Sequence, residues 1–430
     1  MSAPATPELH DPFYYHRLAN GLEMIGQRMP SLGSAVFSIQ LDAGAMNEDD
    51  SELGLCQILD DMLFQGTPTR NARQITDAIE LLGARRIAGS GFENARLGAQ
   101  VVHTRLDEAL TLWSDLLLHP QFPEKEFNQL RPLLVQAIKR REDEPTQRGS
   151  ELFMRTFYQQ SRMARPILGT IETVNNLTTA KLRAYYEQHY RPNKSLFSIA
   201  GNFEWDHVVA KVEELFGGWE SGGTASYRDH PQSHATIAAE QSDGEQEHFY
   251  FGYPSVIYGD PDYYANRLMI EAFGGGMTSR LFAEVREKRG LVYSVGAYEQ
   301  GSRAQGGVVI YAGTPPEKAR ETVEVIVQEL RKLQASGLSQ DELDRAKIQL
   351  KSELVMQSES GSARMSGIAR SWWYQRKITP VADIKNMIDS VTIDQIETVL
   401  RRYPPTQMLS LAMVGPAEQA TVTDKLLPIT

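Results

Sequence analysis

Only one cysteine, Cys56, occurs in the 430 residues, so neither an intrachain disulfide nor a cysteine-based zinc site can form. Long apolar runs are also missing. No stretch approaches ~18 consecutive apolar residues, which excludes a helical membrane span. Met1 to Tyr14 has neither a basic segment nor the apolar core of a leader peptide, so the expected location is cytoplasmic, away from membranes. Basic runs are scarce. The densest, Lys139-Arg140-Arg141, is followed at once by Glu142-Asp143-Glu144 and reads as a solvated helix face. With 44 Lys plus Arg against 55 Asp plus Glu, the net charge of -11 opposes binding to a phosphate backbone, so no nucleic-acid partner is expected. Phosphate-binding fingerprints are absent too. Gly274-Gly275-Gly276 is not followed by Gly-Lys-Ser/Thr, and no G-x-G-x-x-G is present.

What is present is an ordinary globular composition, 41% hydrophobic and 23% charged, in a chain long enough for two or more domains. An internal repeat gives their plan. Leu177-Thr178-Thr179-Ala180-Lys181-Leu182 opens a segment that closes on Ser195 to Gly201, and Val391-Thr392-Ile393-Asp394-Gln395-Ile396 opens one that closes on Met408 to Gly415. Each reads as a capping Thr, an amphipathic helix, a Tyr-Pro break and a buried strand ended by Gly. The two segments lie 214 positions apart at both ends. A second pair, the helices beginning near Phe122 and Leu338, repeats at an offset of 216. Amphipathic helices are further expected over Leu106 to Leu118 and Pro316 to Leu333, and a strand around Ser34 to Asp42. The fold class is then α+β, with two homologous halves, each a mostly antiparallel sheet packed with helices. The expected boundaries are 1–218 and 244–430, joined by a Gly-, Ser- and His-rich linker over 219–243. His230 and His234 in that linker flank Pro231 and so do not form a helical metal-binding pair. Trp372-Trp373-Tyr374 reads as core in preference to an exposed patch.

The stretch Gly54-Leu55-Cys56-Gln57-Ile58-Leu59-Asp60-Asp61-Met62-Leu63-Phe64-Gln65-Gly66-Thr67 resembles the active-site helix of the M16 (pitrilysin and insulinase-type) zinc peptidases, His-x-x-Glu-His followed by Met-Leu-Phe-x-Gly-Thr. Tyr186 to Asn193, Gly274 to Phe282 and Val285 to Val295 resemble further stretches of that family, so the likeness spans nearly the whole chain. In the family motif the two histidines, at i and i+4 on one helix face, reach a single zinc, and the glutamate between them is the general base. A later glutamate completes the ligand set. Here the corresponding positions are Gln57, Asp60 and Asp61, with Ala137 (or Gln136) at the later one. No metal is therefore expected in this chain, because Gln and Ala are not zinc ligands and one strong ligand does not hold zinc. Adjacent carboxylates on a helix point about 100° apart. Asp60 and Asp61 therefore read as hydrogen-bonded or solvated acids in a vacated pocket. The rival readings are a hard-ion site shared with Gln57, or a hydrolase using another metal there.

The resemblance also assigns roles to the second half. Arg286 and Tyr293 match an Arg and a Tyr, seven apart, that bind substrate and stabilise the oxyanion in M16 enzymes. An Arg fork and a phenol O–H suit that task. Gly274, Gly275 and Gly276, within the stretch that resembles the family, lack side chains and so allow close approach to a bound peptide; the other reading is a tight turn between one helix and the next. Ala88, in the stretch Leu82 to Ser90, matches the family's peptide-binding edge strand, where the family's Asn is replaced by Ile87. Some M16 peptidases are heterodimers in which one subunit carries zinc and the other closes the chamber. The resemblance thus implies a non-catalytic subunit of a zinc endopeptidase, with zinc in a homologous partner and peptides as substrates. The alternative is a stand-alone peptide-binding or scaffold protein.

Overall fold

The computed structural model describes residues 12–223, 227 and 235–418. In the first half the order is β1 (Phe13–Arg17), β2 (Glu23–Arg28), β3 (Ser34–Leu41), α1 (Leu55–Met62), α2 (Ala72–Leu81), β4 (Arg85–Ser90), β5 (Ala95–Val102) and α3 (Leu106–Leu118). There follow α4 (Glu124–Asp143), α5 (Pro145–Tyr158), α6 (Ile171–Asn175), α7 (Thr179–His189), β6 (Ser195–Gly201) and α8 (Trp205–Phe216). The second half runs β7 (Ile237–Gln241), β8 (Glu247–Ser255), α9 (Tyr263–Ile270), β9 (Ser294–Gly301), β10 (Gly306–Thr314), α10 (Ala319–Ser336), α11 (Gln340–Ser358), α12 (Gly361–Gln375), α13 (Val381–Ser390), α14 (Ile393–Arg402) and β11 (Ser410–Gly415).

The two sheets share one topology. The first has the order β1-β2-β6-β3-β5-β4 and the second β7-β11-β8-β10-β9. In each, the first-formed and last-formed strands of the shared plan pair in parallel, β2 with β6 and β7 with β11, while the remaining neighbours run antiparallel. The α+β plan of two homologous halves is thus the observed one, with β1 added to the edge of the first. The repeat read in the sequence marks matching parts of it. Thr178 caps α7 by accepting from the Lys181 N–H, and Thr392 caps α14 by accepting from the Gln395 N–H. Both helices lead into fully buried strands, β6 and β11. Of the expected linker, 224–226 and 228–234, including His230 and His234, lie outside the described residues, and Ile237–Gln241 forms β7.

The described residues form two compact units, and each borrows a helix from the other half of the chain. One unit comprises Met1–Ile138, Pro166–Tyr227 and Met356–Thr379, and the other Lys139–Arg165, Arg228–Val355 and Pro380–Thr430. Within the first unit, one face of the sheet packs on a core that includes Phe37, Trp113, Leu116 and Phe197. Helix α12 covers the other face, where Ile368, Trp372 and Trp373 bury against Ile25 and Leu196. Trp372 and Trp373 are therefore core. Within the second unit, α5 lies on β11, β8 and β7. It packs so closely that a Cβ on Gly252 of β8 would sit 2.4 Å from the Phe153 ring.

Candidate functional site

Helix α1 begins at Gly54, whose positive φ of 92° and close approach to the Leu168 carbonyl suit glycine alone. Its free N–H groups meet the buried carboxylate of Glu48. That group accepts from Gly54 N at 3.1 Å and from Cys56 N and Sγ at 2.7 Å. An anion at a helix N-terminus satisfies orphan donors and the helix dipole together. Burial, and next the Glu48 charge, push the Cys56 thiol well up, so it is a neutral core group and not a nucleophile.

The three degenerate motif positions on α1 all engage edge strand β4. Gln57 Nε2 donates to the Ser90 carbonyl at 3.0 Å. Asp60 Oδ1 accepts from the Ser90 hydroxyl at 2.7 Å. Asp61 pairs with Arg86 at 3.1 Å, and the same guanidinium donates to the Asp60 carbonyl oxygen and lies 3.7 Å from the Phe64 ring centroid. The carboxyl of Asp60 is 8% exposed, and burial pushes it up to about 7 against the lowering pull of the Ser90 hydroxyl and N–H. Ala137, half-buried on α4, offers a methyl group. This donor set does not fit zinc. One amide donates to protein, one carboxyl favours its proton, and the other carboxylate has an Arg partner. Among the described residues no cluster of three or more His, Cys, Asp or Glu is placed to hold a metal. Asp60 and Asp61 are engaged by the Ser90 hydroxyl and by Arg86 respectively. What sequence reading missed is that Ser90, Arg86 and Glu48 are the groups that satisfy α1. Arg86 and Ser90 lie inside the stretch singled out as an edge strand, but their pairing with α1 spans 25 to 33 residues and left no local signal.

In the second unit, Arg286 sits in a π-helical turn, Phe282–Glu287, and Tyr293 follows just before β9. The structure brings them together: the Arg286 guanidinium carbon is 5.3 Å from the Tyr293 ring centroid and 4.8 Å from that of Phe282. Tyr293 is 79% exposed. Glu284, the obvious local counter-charge, is taken by Lys288 at 2.5 Å and Arg289 at 2.8 Å, which hold its carboxyl down at about 2. Among the described residues Arg286 thus has no carboxylate partner, and its donors are available beside an exposed phenol.

The glycine run ends a second π-helical turn, Glu271–Gly275. Chain packing accounts for two of its members. A Cβ on Gly274 would lie 2.6 Å from Ala297 of β9, and one on Gly275 would lie 2.3 Å from the Glu271 carboxylate, whereas Gly276 has room. The run also lines a cavity of about 550 Å³ with Met277, Phe282, Tyr250, Tyr298 and Tyr311. Ala88 is half-buried on β4 and packs against the first core, so its side chain belongs to the fold and only its backbone lies at the sheet edge.

Comparison with known proteins finds a family match in each half of the chain. Residues 25–171 match the family described as Insulinase (Peptidase family M16), and residues 176–350 match the Peptidase M16 inactive domain. An uncharacterized zinc protease of Streptomyces coelicolor is 32% identical, over 93% of this chain and 88% of its own. One from Bacillus subtilis is 28% identical, over 93% and 97%. The fold is shared with a crystal structure of a peptidase M16 inactive domain from Pseudomonas fluorescens, with a TM-score of 0.88 at 20% identity, covering 94% of this chain and 98% of that one. The chain belongs to peptidase family M16.

Proposed function

We propose that this chain is the zinc-free subunit of a heterodimeric M16 zinc endopeptidase acting on peptides or unfolded segments in the cytoplasm. A homologous partner supplies zinc and the general base. This chain closes the chamber and presents Arg286 and Tyr293 to the substrate carbonyl, where a guanidinium and a phenol O–H stabilise the developing oxyanion. The glycine run and the edge at Ala88 are the surfaces along which the peptide backbone lies.

The observation that carries the reading is an asymmetry between the two sites. The α1 positions have been converted to ties within the protein. Arg286 and Tyr293 remain adjacent, accessible and without a carboxylate partner among the described residues. The name of the matched domain, and relatives called zinc proteases, support a paired role.

The test is cleavage of an unfolded peptide by this chain alone and co-purified with a zinc-motif relative from the same organism, with and without chelator. Chelator-sensitive activity is expected only in the pair. Arg286→Ala or Tyr293→Phe should then lower kcat by about 100-fold, as for loss of an oxyanion donor, with the partner's zinc content unchanged. Unchanged cleavage by both variants would remove their assigned role. If no complex forms and the chain still binds peptide, the stand-alone binding reading replaces this one.

A further inference from the structure

The sheet face beneath α12 in the first unit is unusually polar for an interior. Ser38 of β3 and Ser198 of β6 are direct cross-strand partners, and Gln40 follows two residues along β3. They are 3%, 0% and 2% exposed. Among the described residues, the hydroxyls of Ser38 and Ser198, and both Oε1 and Nε2 of Gln40, have no hydrogen-bond partner. Buried polar atoms without partners are costly, and a native fold keeps them where something else satisfies them. Here they face a cavity of about 380 Å³, which α12 roofs with Ser362, Met365 and Ser366.

The charges around this cavity have one sign. Arg96 of β5 lines it, half-buried, with no ion pair among the described residues. Burial disfavours its charge; Tyr374 opposes that, and Arg370 of α12 adds a smaller repulsion. Arg85 and Arg86 of β4 stand exposed at the rim, and Arg86 is already committed to Asp61. Among the described residues no Asp or Glu lines the cavity. Water, at about 30 Å³ per molecule, fills such a space and satisfies hydroxyls and amides. It does not neutralise a half-buried guanidinium, which is commonly paired with an anion.

We propose that this cavity is a binding site for a small oxyanion, a carboxylate or phosphate group carried by a compact molecule. Arg96 supplies its counter-charge, and Ser38, Ser198 and Gln40 donate hydrogen bonds. The guanidinium fork accepts two oxygens side by side. The two hydroxyls, adjacent across the strands, suit a third oxygen, and the Gln40 amide suits the body of the molecule. The site lies wholly within one unit, so it stands independently of whether the chain pairs with a zinc-bearing partner.

The test is calorimetric titration of the full chain, in chloride buffer, with inorganic phosphate and separately with succinate. Saturable binding is expected for at least one, and which of them binds decides between phosphate and carboxylate. Arg96→Gln should weaken that binding by more than about tenfold, as for loss of a charged hydrogen-bond partner. Gln40→Glu places a carboxylate inside the cavity; it should abolish binding and raise the melting temperature by pairing with Arg96. Circular dichroism of both variants checks folding. Binding of neither probe to the wild-type chain would mean that the cavity holds water only and would overturn the proposal. So would binding that survives Gln40→Glu in a folded protein.

Discussion

Replacing Asp60 by Asn should make this protein more stable at alkaline pH and leave it nearly unchanged at acid pH. The carboxyl is 8% exposed, and burial raises its pKa from 3.8 to about 7. Between those values the folded state binds a proton that the unfolded chain has released. Stability therefore falls as pH rises from about 4 to 7 and stays lowered above that. Each pH unit of displacement is worth about 1.4 kcal/mol, which puts the full loss near 4 kcal/mol as an upper bound, and water penetration brings it toward 2 kcal/mol. Asn keeps an oxygen to accept from the Ser90 hydroxyl and has no proton to lose. The assay is urea unfolding of both proteins from pH 4 to pH 8.5. The difference in unfolding free energy should start near zero and climb to about 2–4 kcal/mol at the alkaline end. A constant difference across the range would refute the reasoning, since it would mean that Asp60 titrates alike in the folded and unfolded chain.

Two further outcomes follow from packing and capping. Glu48→Gln should lower unfolding free energy by about 1.5–3 kcal/mol, because one of the N–H groups at the start of α1 then faces the amide nitrogen, which cannot accept; urea midpoints measure it. Gly252→Ala should cost about 1–3 kcal/mol by driving a methyl into the Phe153 ring, and Phe153→Leu in the same chain should recover part of that loss, seen as a partial return of the melting temperature.

The parts of the fold that were legible in the sequence are those whose causes are local. Thr178 and Thr392 are caps because a hydroxyl three residues before an N–H closes the first turn, and that spacing is visible along the chain. The duplicated helix-strand segments declared themselves through the same local pattern at one offset. At the candidate site, the motif on α1 shows which residues stand where the family has ligands. What was hidden is what those residues do instead. Gln57 and Asp60 reach Ser90, and Asp61 reaches Arg86, only because β4 lies along α1, a tertiary fact. Gly274 and Gly275 show the converse. Their lack of side chains suggests room for a ligand, yet Ala297 and Glu271 occupy the space where a Cβ would go. Trp372 and Trp373 read as core in the sequence, but that reading does not tell which sheet they cover.

The exchange of α5 and α12 sets a timetable for synthesis. The hydrogen bond from Trp372 to Glu23 joins residues 349 positions apart, so the first sheet stays bare on one face until nearly nine-tenths of the chain has left the ribosome. Helix α5 has the opposite problem. It emerges early, with Phe153 and Phe157 ready to pack, and waits for β8 and β11 to be made. The first half is therefore not a finished product at the moment its own last residue is added. A fragment ending at residue 218 would present the apolar ground of Ile25 and Leu196 to solvent, and one beginning at 244 would lack the helix that closes its sheet. For this protein the unit of folding, of truncation and of quality control is the whole chain, although its sequence reads as two copies of one domain.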